Sequence, residues 1–235
     1  MPTVTAICPT ANRPKWVPLA VECFLSQTFT DSELLIVDDG EQPTPVPDYA
    51  RIRYIRLEPY VDPQGRAHRK TRPTGLKRNL CCEEARGEVI LHFDDDDWYA
   101  PTRIESQLAF MEQTGKPFVG YHAITFWGTP TSSDKEPSYH YLGVQPYASG
   151  TSQCYLKSFW EQNKFDSNKW IGEDSDLSSH ALQLNAIDSQ DGRQMVVARA
   201  HPDSTCPPNL GSKQFPRCPI SEVPIEFLKA IGVRK

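Results

Sequence analysis

Four consecutive aspartates, Asp94, Asp95, Asp96 and Asp97, stand where the apolar run of residues 88–93 stops and Trp98-Tyr99 begins. Carboxylates this close repel one another unless a cation or hydrogen-bond donors meet them. A divalent ion is the simplest partner, because Mg²⁺ and Mn²⁺ prefer carboxylate oxygens and share their remaining positions with substrate phosphates. The competing reading is a solvated acidic turn that caps the next helix. Position favours chemistry, since in open α/β sheets the ligand crevice lies beyond the carboxyl ends of the strands. A helix-loop-helix calcium site is excluded. Asp94, Asp96 and Glu105 fall at its first, third and last positions, but Trp98 and Tyr99 stand where an oxygen ligand and a glycine are needed, and Pro101 follows.

Three further groups carry reactive side chains. Asp38-Asp39-Gly40 ends a second apolar run and offers a carboxylate to a base N–H, with glycine letting the backbone turn closely around a ligand; the plain alternative is a polar turn. Lys77 and Arg78 open a helix toward the same edge. Arg78 has the bidentate fork that suits a pyrophosphate, whereas Lys77 reads as ordinary helix surface. Glu173-Asp174 supplies an acid pair in Gly-Glu-Asp-Ser, which is also a respectable helix start.

The elements that must position these residues follow from periodicity. Residues 4–8 are a short β-rich run and residues 34–37 an apolar run too continuous for a half-exposed strand, and residues 15–27 between them recur at helical spacing, which makes a parallel unit. Residues 52–57 alternate like an edge strand. Residues 75–85 read as a helix feeding a strand over 89–93, with Cys81-Cys82 as packing. A helix opens at Pro101 and runs to Thr114, with Asp97 capping it, and Gly115-Lys116-Pro117 stops it. Strands are expected over 118–127, 139–147 and 195–200, helices over 157–162 and 175–184, and a short helix from Pro224. Strand, polar turn and helix in repetition form a nucleotide-binding α/β sheet.

Composition limits the alternatives. The chain has 235 residues, 38% of them hydrophobic, enough for one large core. Its net charge of -5 gives no global attraction to nucleic acid or anionic membrane, although Arg66, Arg69, Lys70, Arg72, Lys77 and Arg78, with His68, form a local basic stretch. Seven cysteines without a C-x-x-C pair read as reduced thiols, and His201, Cys206 and Cys218 match no common zinc spacing. No signal segment and no transmembrane segment is seen, so a cytoplasmic location is the expectation.

In order along the chain, residues 4–13, Val37-Asp38-Asp39-Gly40, Gly75-Leu76-Lys77-Arg78-Asn79, residues 87–98 and Gly172-Glu173-Asp174-Ser175-Asp176-Leu177 together resemble a small family 2 glycosyltransferase of GT-A fold. Beyond His201 the likeness ends. The resemblance implies an α/β fold with a single Rossmann-like nucleotide-binding sheet, helices on both faces and a C-terminal acceptor-side region. It divides residues 1–205 into a nucleotide-binding half, 1–100, and an acceptor half, 101–205, with a tail over 206–235. It implies an inverting transfer from a UDP-sugar, with Mn²⁺ or Mg²⁺, to a glycan or other hydroxyl-bearing acceptor.

Carried over residue by residue, the resemblance puts Pro9, Thr10, Arg13 and Arg78 beside the nucleotide and makes Asp39 the uracil-binding carboxylate. The Asp-x-Asp pattern falls on Asp94 and Asp96. Asp96 becomes the direct metal ligand, Asp94 with Asp95 a partner of ribose or metal-bound water, and His201 a third ligand. Asp174 becomes the base, while Glu173 orients the acceptor or pairs with a cation. Gly150-Thr151-Ser152 would line the donor sugar, and Trp98, Trp127 and Trp170 are the candidates to stack on sugar rings, Trp98 first among them. The rivals are a sugar nucleotidyltransferase, which would want a glycine-rich loop where Pro9-Thr10-Ala11-Asn12-Arg13 stands, and a non-catalytic nucleotide or glycan-binding module. The basic stretch keeps open an acceptor such as DNA with hydroxylated bases, which overall acidity disfavours.

Overall fold

The computed structural model describes residues 3–65 and 71–233. Arg66, His68, Arg69 and Lys70 of the basic stretch lie outside the described residues. The first half runs β1 (Val4–Thr10), α1 (Val17–Leu25), β2 (Ser32–Asp38), β3 (Ile52–Arg56), α2 (Thr74–Glu84) and β4 (Val89–His92). These four strands lie parallel in the order β3-β2-β1-β4. β2 is buried along its whole length, and β3, at the edge, is half-buried throughout. The second half adds β5 (Trp98–Tyr99), α3 (Arg103–Thr114), β6 (Phe118–Trp127), β7 (Ser138–Leu142), β8 (Cys154–Leu156), α4 (Lys157–Gln162), α5 (Glu173–Gln183), β9 (Ile187–Asp191), β10 (Val196–Arg199) and α6 (Ile225–Ala230). β8 joins the halves, pairing antiparallel with β4 and with β6, and β6 also carries β7, β9 and β10.

Alternate residues of each strand feed two separate cores, because successive side chains point to opposite faces. Ala6, Cys8, Leu34, Ile36 and Leu91 pack with Phe24 of α1, Ile104 of α3 and Phe227 of α6. Ile7, Leu35, Val37 and Ile90 pack with Cys81 and Cys82 of α2, Trp160 of α4 and Leu177 of α5. Helices therefore cover both faces, and Cys81-Cys82 is packing, as expected. All seven cysteines are free. Among the described residues no helix is long and apolar enough to cross a membrane.

Several boundaries differ from those expected. β7 ends at Leu142 rather than running to 147; the Tyr147 N–H turns back to the Val144 carbonyl, and Pro146 has no N–H to give a ladder. β8 and β9 escape sequence reading because one has three residues and the other, Ile-Asp-Ser-Gln-Asp, is largely polar. α5 starts at Glu173, two residues early, where Gly172 adopts φ 80°. Its first turn holds Glu173, Asp174 and Asp176, which suits the positive end of the helix dipole. The segment beyond 205 packs on the sheet: the N–H groups of His140 and Leu142 donate to the carbonyls of Pro216 and Gln214, and Phe215 meets Phe126 edge-on.

Candidate functional site

The parallel register brings the carboxyl ends of β1, β2 and β4 side by side, so Thr10, Asp38-Asp39 and the aspartate run converge. Asp38 is used by the fold. It accepts from the N–H groups of Gly40 at 2.8 Å and Thr44 at 3.0 Å and from the Tyr54 hydroxyl at 2.8 Å. Burial pushes its carboxyl up, but these bonds outweigh it and hold the group below the usual range. Asp39 is fully buried. One oxygen accepts from the Arg72 amide at 2.5 Å, and the other faces Lys77 Nζ at 3.0 Å. Lys77 is therefore not helix surface: only 6% exposed, it also donates to the Thr10 carbonyl at 3.3 Å. A helix beside a sheet edge has no solvent face there, which a single-helix reading cannot see.

Each member of the aspartate run has a different environment. Asp95 is buried and accepts from Thr10 Oγ1 and, at 2.7 Å, from Arg13. Burial raises its carboxyl to about 6, against the pull of Arg13 and with the help of Asp96. Asp96 meets Arg13 at 2.9 Å and His201 Nε2 at 3.1 Å through the same oxygen. Asp97 does not cap α3, whose N-cap Thr102 has no side-chain bond. Its carboxylate instead accepts from the Arg199 N–H at 2.9 Å, and burial with Asp96 and Asp94 pushes it up. Asp94 is the most open of the salt-bridged pairings here, at 26% side-chain exposure, and receives Arg78 at 3.2 Å.

His201 stacks on Trp16 with ring centroids 4.5 Å apart, and its Nδ1 accepts from the Asp203 N–H at 3.2 Å. Arg13 reaches on to the Asp203 carbonyl at 2.8 Å, tying the loop after β10 to the aspartates.

Arg78 joins this acid run to the second one. Its Nε donates to Glu173 at 2.9 Å while Nη2 reaches Asp94, and Nη1 is buried without a partner among the described residues. Burial would lower the guanidinium, yet Asp94 and Glu173 raise it further, so the positive charge is permanent. Glu173 is buried and held by this pair; burial raises its carboxyl against Arg78. Asp174 lies in the first turn of α5 rather than at its cap, with one oxygen accepting from the Ser175 N–H at 2.6 Å and the other against Gly150.

Pro9, Arg13, Arg78, all four aspartates, Glu173, Asp174 and Gly150 line one cavity of about 460 Å³. Thr10 and Asp39 are buried outside its lining. Trp98 is also outside it, in the core against Phe227, so it cannot stack on a ligand there; Trp170 does line the cavity. A larger cavity of about 640 Å³ opens beside His201 and Trp16.

Among the described residues no three His, Cys, Asp or Glu side chains form a preassembled metal centre. The zinc reading therefore has no support. The donor chemistry nevertheless suits Mg²⁺ or Mn²⁺, which usually take one or two carboxylates and complete their shell with phosphate and water. Asp94 and Asp96 offer the carboxylates, and His201 Nε2 lies beside Asp96. Sequence reasoning missed Arg199, which donates to the Asp96 carbonyl at 2.8 Å, and the buried His92, Arg103 and Gln107 around Gly150. None sits in a recognisable pattern, so no local signal marks them.

Such an arrangement, with carboxylates at the ends of a parallel sheet and an acid pair at a facing helix, defines a GT-A glycosyltransferase fold. The family model for glycosyl transferase family 2 matches residues 5–145, more than half of the chain, and the protein belongs to that family. An uncharacterized glycosyltransferase of Rickettsia felis is 30% identical over 198 residues, covering 78% of this chain and 31% of its own. The chain thus spans about a third of the length of that relative. Among solved structures, S. aureus TarS 1-349 in complex with UDP-GlcNAc superposes with a TM-score of 0.62 at 16% identity, covering 87% of this chain and 60% of that one. The mannosyltransferase PcManGT of Pyrobaculum calidifontis, in complex with GDP-Man and Mn²⁺, gives 0.56 at 14% identity, covering 87% and 59%. At such identities the two structures speak for the fold.

Proposed function

We propose that the protein is an inverting, divalent-metal-dependent glycosyltransferase that moves a sugar from a UDP-sugar to a hydroxyl of a glycan or lipid-linked saccharide. The observation that carries this reading is the chain Asp94–Arg78–Glu173, which ties the aspartate run and the Glu173-Asp174 pair into one cavity. Nucleotide sugars bound to TarS and PcManGT support the donor class. Asp94, Asp96 and His201 would hold the metal, which supplies positive charge to the departing diphosphate.

This chain's own residues do the rest. Arg78, permanently charged, would face the diphosphate, and Pro9, Arg13 and Asp95, with Thr10 behind Asp95, would form the floor beneath the nucleotide. Asp39 would read the base N–H, at the oxygen where the Arg72 amide now sits. Glu173 stays in its ion pair, which leaves Asp174 as the acid available to substrate. Asp174 takes the proton of the acceptor hydroxyl as that oxygen bonds to the anomeric carbon. The bond to the diphosphate oxygen breaks with its electron pair leaving on the nucleotide, and configuration inverts.

The test is Asp174→Asn in the full chain, assayed for UDP release from a panel of nucleotide sugars with Mn²⁺. The variant should lose about 10²–10⁴-fold in kcat and still be stabilised thermally by the donor. Wild-type turnover in the variant, or no consumption of any nucleotide sugar by the wild type, refutes the reading.

A further inference from the structure

The 3₁₀ turn Gly150–Ser152 is held from below at every carbonyl. Gly150 accepts from His92 Nδ1 at 2.8 Å, Thr151 from Arg103 Nη2 at 3.0 Å, and Ser152 from Gln107 Nε2 at 2.7 Å. All three donors are fully buried and come from other elements, β4 and α3. A carbonyl only accepts, so His92 Nδ1 carries the hydrogen and Nε2, 3.0 Å from the Tyr155 hydroxyl, is the acceptor. Arg103 also donates to Gln107 at 3.0 Å and lies 4.2 Å over the Tyr99 ring. Among the described residues no carboxylate forms a salt bridge with it. A guanidinium buried without a carboxylate is unfavourable for folding compared with an apolar side chain of the same size. Stability alone therefore does not explain the arrangement.

What the turn touches gives the explanation. A Cβ on Gly150 would lie 1.7 Å from Asp174 Oδ2 and 2.7 Å from its Cγ, so the bare Cα sets how far the carboxylate stands off the turn. On its other side, Thr151 Oγ1 bonds the Tyr99 hydroxyl at 2.7 Å, which accepts the Asp94 N–H at 2.7 Å. The turn thus spans the distance between the acid run and Asp174.

We propose that this turn is a positioning platform for Asp174, with His92, Arg103 and Gln107 as its supports. The inference rests on the reading of Asp174 as the base. His92 is the most informative support, because two amides of similar chemistry separate its two nitrogens. His92→Asn keeps an N–H near the Nδ1 position and the bond to Gly150, whereas His92→Gln places its amide near Nε2 and loses that bond.

Both variants are assayed as full chains for UDP release from the nucleotide sugar that the wild type consumes fastest, with Mn²⁺. His92→Gln should lose on the order of 10²-fold in kcat, the effect expected of a misplaced reacting group, at an unchanged donor KM and unchanged stabilisation by UDP. His92→Asn should stay near wild type. Equal turnover in the two variants, or a loss confined to donor KM, overturns the proposal. Should His92→Gln fail to fold, Gly150→Ala serves instead: its new methyl meets Asp174 without entering the core, and wild-type kcat from it overturns the platform. If Asp174→Asn is itself silent, the base reading fails; if it is inactive while His92→Gln and Gly150→Ala turn over normally, only the platform fails.

Discussion

Replacing Lys77 by Met removes a charge from the carboxyl end of the parallel strands while keeping an unbranched apolar stem. Lys77 Nζ stands 3.0 Å from Asp39 Oδ1, with side-chain exposures of 8% and 0%. At an effective dielectric of about 20 the gross attraction is about 5.5 kcal/mol. Removing one partner of a buried pair typically costs about 3–5 kcal/mol, because the other charge is left in place. Arg72, whose guanidinium lies 3.7 Å from Asp39 and is more exposed, and the Arg72 amide compensate in part. The expected loss is therefore near the lower end, about 3 kcal/mol. For a chain of this size that is a fall in Tm of roughly 6–12 °C. Thermal melts at pH 7.5 of Lys77→Met, Asp39→Asn and the double variant form a cycle that isolates the pair. The double variant should melt above Lys77→Met, since the stranded charge is gone. A Lys77→Met protein melting within about 1 °C of wild type, or strictly additive losses in the cycle, refutes the argument that this pair is energetically coupled.

Two further outcomes concern the aspartate run. Mn²⁺ at about 100 times its Kd should stabilise the wild type by about 2.7 kcal/mol, or roughly 5–10 °C, and Asp96→Ala should abolish that gain; an undiminished shift places the ion elsewhere. Asp95 titrates at about 6 when folded, above its unfolded value of about 4. A raised folded value means that its stabilising contribution is complete below pH about 4 and is lost as the pH rises through about 6. Without metal, wild type should thus lose stability relative to Asp95→Asn between those values, and parallel melting curves for the two proteins would contradict the burial of an ionisable Asp95.

The first half of the fold was open to sequence reading because its strands are buried on both faces and its helices are one-sided. Val4–Thr10, Ser32–Asp38 and Val89–His92 each hold a short run rich in apolar residues, and each is followed by a polar turn. The second half was harder. β8 is too short for periodicity to register, and β9 is a polar segment made into a strand by the edge of β6 that it joins. Trp98 illustrates a different limit: an aromatic beside acids looks like a sugar platform, but its ring packs against Phe227 and borders the cavity beside Trp16 rather than the one lined by the aspartates.

Residue type and order alone determined that this chain builds an α/β sheet of the family 2 glycosyltransferases and that its acids are Asp38-Asp39, Asp94 to Asp97 and Glu173-Asp174. Tertiary structure decided which of those acids is available. Asp38 closes a turn, Asp97 holds the Arg199 amide, Asp95 and Asp96 meet Arg13 and Glu173 is bound to Arg78, leaving Asp94 and Asp174 as the half-buried acids of the cavity. The reason is physical: ionisation and access depend on burial and on partners such as Arg13, Lys77 and Arg78, which lie tens of residues away along the chain and meet the acids only when the sheet closes.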